Sequence, residues 1–171
     1  MKKLLLLISA LSSFTYAAEI EGAFGYKFGD KVDLNTGKVK QDKGSIAYLN
    51  LDKPPKGLEI LMIGFAPDTN EIMSLVGLSS YTEDKCDEVA ESYRVAIEKK
   101  YNEKMQAPTV FTDDTKYILT KNNKEIRLEC RYDFSNDESM FIIYYTDNKR
   151  EKASKQRTAE RDAEKLDSSQ L

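Results

Sequence analysis

Among the side chains that could act as an acid, base or nucleophile, carboxylic acids are the most abundant, with 29 Asp and Glu residues and no histidine. Without histidine, Ser-His-Asp and Cys-His catalysis, nearly all zinc enzymes and an imidazole pH switch are excluded. Paired carboxyl groups could still hydrolyse a glycosidic bond. The sequence selects no such pair, and we expect acids such as Glu98, Asp113 and Asp137 to be solvated surface. No catalytic residue is therefore assigned.

Several other kinds of chemistry are excluded because the residues they need do not occur at the required spacing. No serine is followed three residues later by lysine, and neither a Walker A loop nor a dinucleotide-binding glycine pattern occurs. Asp33 and Asn35 alternate as in a calcium loop, but Gly37 comes one position early and Gly44 stands where the bidentate glutamate belongs. We interpret this segment as a turn and expect neither a metal ion nor a cofactor.

The two cysteines, Cys86 and Cys130, favour a structural disulfide. They lack the C-x-x-C spacing of redox motifs, and no third cysteine competes for pairing. Cys86 is predicted on the buried side of a helix and Cys130 on the inward side of a strand, so both sulfurs should meet between helix and sheet. Two buried free thiols or a metal site are the alternatives, although two thiolates are too few specific ligands for zinc.

The N-terminus predicts a signal peptide. Lys2 and Lys3 form a positive region, residues 4–11 are apolar, and residues 15–17 form a small-x-Ala site, which predicts cleavage after Ala17. A buried helix or a membrane anchor is the alternative, but the apolar stretch is too short to span a bilayer. No cysteine lies near the cleavage point, so a lipoprotein is not expected. We expect a periplasmic or secreted bacterial protein without an integral membrane segment after cleavage.

Charge narrows the class of partner. Cleavage removes two of the 26 basic residues and leaves 24 against 29 acids, a net charge of −5. Phosphate neutralisation supplies most nucleic-acid affinity, so an acidic chain without a basic stripe is not expected to bind nucleic acid. The expected partner is an unknown envelope protein or glycan.

Hydrophobic periodicity predicts an α+β fold with a largely antiparallel sheet of six or seven strands. Strands are predicted at residues 46–51, 60–66, 72–78, 117–120, 125–132 and 140–145. The run from Ile60 to Ala66 is apolar throughout, which predicts a strand covered on both faces. Phe24, Tyr26 and Phe28 are predicted on one face of an extended segment. The order of elements allows a βββα duplication, which no residue pattern requires.

Two helices complete the predicted fold. The first begins near Thr82, capped by that residue or by a Ser80–Glu83 pair, and ends near Asn102. Its buried stripe is Cys86, Val89, Ala90, Tyr93, Ile97 and Tyr101. The second covers residues 147–167, of which 13 of 21 are charged. Its thin contact face is Ala153, Ala159, Ala163 and Leu166. The predicted parts are a signal peptide at 1–17, one α+β domain at 18–146 and a charged helical tail at 147–171.

Tyrosine offers the best indication of a binding surface, because it combines apolar area with a polar tip. Tyr144 and Tyr145 are neighbours on a predicted strand and point to opposite faces, so one of them is a candidate for exposure. Alternating acids and arginines at 125–131 predict a solvated sheet face, with a binding surface as the alternative. The candidate binding residues are Tyr144, Tyr145, Arg127 and Arg131.

The segment Gly22-Ala-Phe-Gly25-Tyr-Lys-Phe-Gly29-Asp30 resembles small exported bacterial proteins of unknown function that begin G-A-F-G-x-K-x-G-D. The resemblance extends to Pro67-x-Thr69-Asn70-x-Ile72, to a cysteine near the start of the helix, and to a closing D-S-S-x-L with Gln170 in place of glycine. It covers most of the mature chain. It implies export and pairing of the cysteines, and it implies no activity, cofactor or catalytic residue.

Two hypotheses of function follow. The first is an exported non-enzymatic domain that binds another protein or an envelope component, which requires an exposed apolar or aromatic patch. The alternative is a carboxylate-dependent hydrolase of envelope glycans, which requires a cleft with two carboxyl groups about 5 to 9.5 Å apart.

Overall fold

The computed structural model describes residues 18–35, 38–41, 44–108 and 114–169. The predicted signal peptide lies outside these residues, as do Asp113, Gly37 of the rejected calcium loop and Gln170 of the closing motif.

The described fold is α+β, as predicted. In chain order its elements are β1 (Gly22–Ala23), β2 (Tyr26–Lys27), β3 (Val39–Gln41), β4 (Ile46–Leu49), β5 (Ile60–Phe65), β6 (Ile72–Tyr81), α1 (Glu83–Tyr101), β7 (Thr115–Lys121), β8 (Lys124–Asp133), β9 (Glu138–Asp147) and α2 (Asn148–Ser169). A seven-stranded antiparallel sheet has the order β3-β4-β5-β6-β9-β8-β7, and β1 pairs with β2 in a separate hairpin. Only β3 and the β1–β2 hairpin were not predicted as strands.

The two halves of the sheet share one connectivity. Strands β4, β5 and β6 form a meander followed by α1, and β7, β8 and β9 form a meander followed by α2. The last strands of the two meanders, β6 and β9, pair at the centre of the sheet. This is the connectivity of a βββα duplication, although the residues of the two halves show no matching pattern.

Helix α1 covers one face of the sheet, called the inner face below. Its predicted stripe lies against the core, with Cys86, Ala90, Ile97 and Tyr101 buried and Val89 and Tyr93 packed at its edge. The Tyr93 ring centroid lies 5.0 Å from that of Phe141 in β9. A large apolar side chain that is almost fully buried, such as Ile97, contributes about 1.5–3 kcal/mol. Burial of the stripe therefore holds α1 on β8 and β9.

The ends of α1 differ in how they are capped. Thr82 occupies the N-cap position but its side chain makes no capping hydrogen bond, so Glu83 and Asp84 complement the positive helix end instead. Asn102 ends the helix in the left-handed conformation, with φ 51°, and its N–H donates to the Glu98 carbonyl. This is the stop that the sequence predicts.

The disulfide prediction is confirmed. Cys86 and Cys130 are bonded, with an S–S distance of 2.10 Å and Cα atoms 6.0 Å apart, and join α1 to β8 across the inner face. Their separation of 44 residues closes a long loop. In the chain-entropy account, a loop of this length is worth about 4 kcal/mol.

The prediction of a single extended segment near the N-terminus is wrong. The chain reverses at Phe24 and Gly25, whose φ values of 56° and 85° are those of a tight hairpin turn. Phe24 is an unusual residue for positive φ. Its ring packs edge-on against Tyr145, with centroids 5.7 Å apart, and this contact offsets the strain of the turn.

The prediction that both faces of β5 are covered is also wrong. Leu61, Ile63 and Phe65 are buried on the inner face, whereas Ile60 is exposed and Met62 only half-buried. An entirely apolar strand is compatible with one covered face, because the pleat sends alternate side chains to opposite sides.

The contact face of α2 is shorter than predicted. Ser154 is buried and Ala153 half-buried, but Ala159 and Ala163 are exposed. The Leu166 side chain lies outside the described ones. Among the described side chains of this helix, those that pack against the domain therefore lie mainly in its first half.

Ion pairs accompany that packing. Glu151 and Lys155 form an ion pair at 2.6 Å within the helix. Arg157 donates from Nε to Asp68 of the domain at 2.6 Å. Neither α1 nor α2, the two helices of the described chain, is apolar over a length that would cross a membrane.

Candidate binding surface on the open face of the sheet

The face of the sheet opposite α1, called the open face below, is organised in cross-strand rows. Residues paired in register point to the same side of a sheet, so the pairing identifies its members. The middle row, in strand order, is Lys40, Tyr48, Met62, Val76, Tyr144, Arg127 and Ile118. A flanking row is Ile60, Leu78, Ile142, Glu129 and Thr115.

One side of the open face, the apolar half, consists of Ile46, Tyr48, Ile60, Met62, Val76 and Leu78 on β4, β5 and β6. Ile46, Tyr48 and Ile60 are 46%, 40% and 41% exposed. They are three of the five exposed large apolar side chains in the described chain, the others being Val95 and Phe134. Contiguous exposed apolar residues on neighbouring strands mark a surface for interaction.

The other side, the charged half, consists of Arg127, Glu129 and Arg131 on β8 with Tyr144 on β9. The Glu129 side chain is only 5% exposed. Its Oε2 accepts a 3.0 Å hydrogen bond from Arg131 Nη2, and its Oε1 lies 3.1 Å from Arg127 Nε. A buried carboxylate persists where cations compensate it in this way.

The predicted solvated row on β8 is therefore wrong at Glu129. This carboxylate has an arginine on either side along the strand and the buried Ile142 directly opposite on β9. Arg131 also faces Asp114, with Nε 3.4 Å from the carboxylate oxygen. The row is an ordered network and not a set of independently hydrated charges.

Arg127 is held in a fixed orientation. Its guanidinium carbon lies 4.7 Å from the centroid of the Tyr144 ring, in cation–π geometry. Its buried Nε approaches Glu129 but makes no hydrogen bond, because the N–H does not point at the carboxylate. Burial, and then the negative charge of Glu129, raise the pKa of Tyr144.

The structure brings together three of the four candidate binding residues. Arg127, Arg131 and Tyr144 lie in the charged half, whereas Tyr145 is buried on the inner face. Burial raises the pKa of Tyr145 far above its usual range, so its hydroxyl stays protonated. Tyr145 does not belong to the surface, because strand alternation turns it away from Tyr144.

Sequence reasoning missed the apolar half. Its members come from three strands that alternate in burial, and their neighbours on the inner face are equally apolar. Residues 46–49 are Ile-Ala-Tyr-Leu, apolar at every position, so the sequence of this strand does not distinguish its exposed face from its buried one. Apolar patterning alone does not distinguish an exposed Ile60 from a buried Leu61.

A second network of carboxylates and cations lies on α1. Arg94 donates to Glu91 from Nε at 2.8 Å and to Glu98 from Nη1 at 2.8 Å, and the Tyr117 hydroxyl donates to Glu91 at 3.0 Å. Lys104 donates to Glu98 at 2.7 Å. The expectation that Glu98 is solvated surface is wrong, since it is buried beneath these cations. Asp137 is exposed, as expected, and accepts a hydrogen bond from Tyr132.

These carboxylates fit a structural role. Hydrogen bonds from Arg94 and then Tyr117 lower the pKa of Glu91 to about 2. Lys104, the Met105 N–H and Arg94 lower the pKa of Glu98. A general acid working near neutral pH needs a raised pKa. Glu91 and Glu98 therefore hold the end of α1 to β7 and the following loop.

A cavity of about 470 Å³ lies beside this network and is lined by Val95, Glu98, Lys99, Asn102, Glu103 and Lys104. Within the described ranges, no three His, Cys, Asp or Glu side chains are grouped to hold a metal ion. No protein-family model, curated protein or solved structure matches the chain.

Proposed function

We propose that this chain is an exported, non-enzymatic protein of the bacterial envelope that binds another protein through the open face of its sheet. The observation that carries the proposal is the exposed apolar half beside an ordered charged half. Aromatic residues, methionine and arginine are enriched in protein interfaces, and each occurs on this face.

Burial of the apolar half supplies a driving force for binding. Ile46, Tyr48 and Ile60 are each about two-fifths exposed or more. Covering them would contribute on the order of 1 kcal/mol per side chain. The flanking arginines and Glu129 would orient the partner, since charged groups contribute more to specificity than to affinity.

Export is the second part of the proposal. The N-terminal pattern supports a signal peptide cleaved after Ala17, and the Cys86–Cys130 disulfide supports an oxidising compartment such as the periplasm or the exterior. We also propose kinship with the small exported proteins that the G-A-F-G-x-K-x-G-D opening resembles. Neither point depends on the identity of the partner.

The test is affinity capture from an envelope extract with a photo-crosslinking residue at Tyr48. The variant Ile46→Ser/Ile60→Ser should weaken capture by roughly 30-fold, the effect of about 2 kcal/mol. Val95→Ser is the matched control, because Val95 is 52% exposed but lies on α1. Both proteins should unfold at the temperature of the wild type to within a few degrees.

Two results would contradict the proposal. One is that Ile46→Ser/Ile60→Ser and Val95→Ser weaken capture equally. The other is cleavage of envelope glycans by a preparation that captures no protein, which would favour the hydrolase.

A further inference from the structure

Arg127 differs from Arg131 and Arg94 in making no hydrogen bond to another described residue. Its buried Nε lies 3.1 Å from Glu129 as an ion pair, so Nη1 and Nη2 are the donors that a ligand could use. Arg131 donates to Glu129, and Arg94 is occupied by Glu91 and Glu98. The Arg127 side chain is 38% exposed. An oriented guanidinium with free donors is suited to bind a planar carboxylate.

The residues beside Arg127 on the open face indicate that the ligand also has an apolar side chain. In the middle row, Arg127 is followed by Tyr144, Val76 and Met62 on successive strands. Strands lie about 4.8 Å apart, so Met62 is about 14 Å from Arg127 across the sheet. An extended chain advances about 3.3 Å per residue, and four residues span about 13 Å.

We propose that the open face binds an extended segment of a partner protein that places a carboxylate against Arg127 and an apolar side chain, four residues away, over Val76 and Met62. This inference rests on the proposed function and names the chemistry of the partner. The stack on Tyr144 fixes the guanidinium plane, and Glu129 fixes its rotation. Both are in place before the ligand arrives, which reduces the entropy lost on binding.

The probe is the peptide acetyl-Glu-Ser-Thr-Ser-Leu-amide, with the Gln peptide of otherwise identical sequence as control. Each is titrated into ¹⁵N-labelled mature protein while the side-chain Nε–Hε resonance of Arg127 is followed, assigned by its loss in Arg127→Lys. We expect a saturable shift with the Glu peptide and affinity about tenfold lower for the Gln peptide, since hydrogen bonds to charged groups are the stronger ones. Val76→Ser should weaken binding of both peptides.

Three outcomes would overturn the inference. They are equal affinity for the Glu and Gln peptides, equal movement of the exposed Arg161 resonance, and no shift of Arg127 at peptide concentrations up to about 10 mM. A shift that depends on protein concentration without peptide would instead assign the face to a second copy of this chain.

Comparing capture of the partner by variants of the apolar half and of Arg127 distinguishes a failure of this inference from a failure of the proposed function. If Ile46→Ser/Ile60→Ser abolishes capture but Arg127→Gln and Arg127→Lys leave it unchanged, the proposed function stands and the carboxylate contact is wrong. If none of these variants changes capture, the open face is not the binding surface.

Discussion

Arg157 of α2 donates a 2.6 Å hydrogen bond from Nε to Asp68 in the turn between β5 and β6. This ion pair joins the charged C-terminal helix to the domain at a point that local sequence patterns did not predict. The hydrogen bond from Arg157 lowers the pKa of Asp68. Both partners are partly accessible to solvent, so salt screens their attraction.

Deletion of residues 156–171 should therefore leave the domain folded. The deletion removes the Arg157 pair but keeps the buried Ser154, and the exposed Ala159 and Ala163 contribute no packing. We expect cooperative thermal unfolding with only a small decrease in Tm, and a smaller decrease at high salt. Asp68→Asn in the full chain is the matched control for the ion pair. A Tm far below that of Asp68→Asn would show that the deleted half of α2 is docked.

Loss of the disulfide should be costly. Cys86→Ala/Cys130→Ala should lower the free energy of unfolding by about 2–5 kcal/mol, because the unfolded chain gains freedom and α1 loses its tether to β8. Chemical denaturation measures the loss, and intact mass with and without reductant tests the bond in protein isolated from the cells that produce it. Two cysteines that alkylate without reductant would contradict the bond.

Glu91 should make stability depend on pH in the acid range. Its folded pKa of about 2 lies below the ordinary value of 4.5, so its stabilising contribution is complete above pH 4.5 and disappears as the pH falls towards 2. Wild type should therefore exceed Glu91→Gln in free energy of unfolding at pH 6, and the two should converge near pH 2. Glu88→Gln on the same helix is the control. A difference that is constant with pH would contradict the assignment.

The pKa of Tyr144 should depend on the position of Glu129 in the charged half. Its pKa is raised by burial and then by the negative charge of Glu129. Glu129→Gln removes that charge and should lower the pKa of Tyr144, whereas Glu125→Gln, four residues away on the same face of β8, should change it less. Titration of the phenol by NMR of the labelled ring measures both. Equal pKa values in the two variants would mean that Glu129 does not face Tyr144.

Much of the fold could be predicted because its signals are local. The α1 stripe and the stop at Asn102 are encoded within a few helical turns, and the β7–β8 hairpin is encoded by Asn122 and Asn123, which adopt the positive φ that the turn requires. The disulfide followed from two such assignments, because the periodicities of a helix and a strand placed each cysteine on an inward face.

The candidate surface could be predicted only in part. Alternation placed Arg127 and Arg131 on one face of β8, and it required Tyr144 and Tyr145 to point apart. Which tyrosine is buried and which only half-buried depends on where α1 and the β1–β2 hairpin pack, and no residue near Tyr144 contains that information. Glu98 is a different case, because its partners Arg94 and Lys104 lie only four and six residues away, and Lys104 reaches it from beyond the end of the helix at Asn102.

By itself, the sequence determined the kinds of element, the cysteine pair and the catalytic groups that this protein lacks, because these depend on residue type and spacing along the chain. The tertiary structure alone decided that Ile46, Tyr48 and Ile60 stay exposed beside an oriented Arg127. Strands β5 and β6 carry apolar side chains on both faces of the sheet, and α1 covers only the inner face. Whether a side chain is exposed therefore depends on what packs against it, and that is determined by residues distant in the sequence.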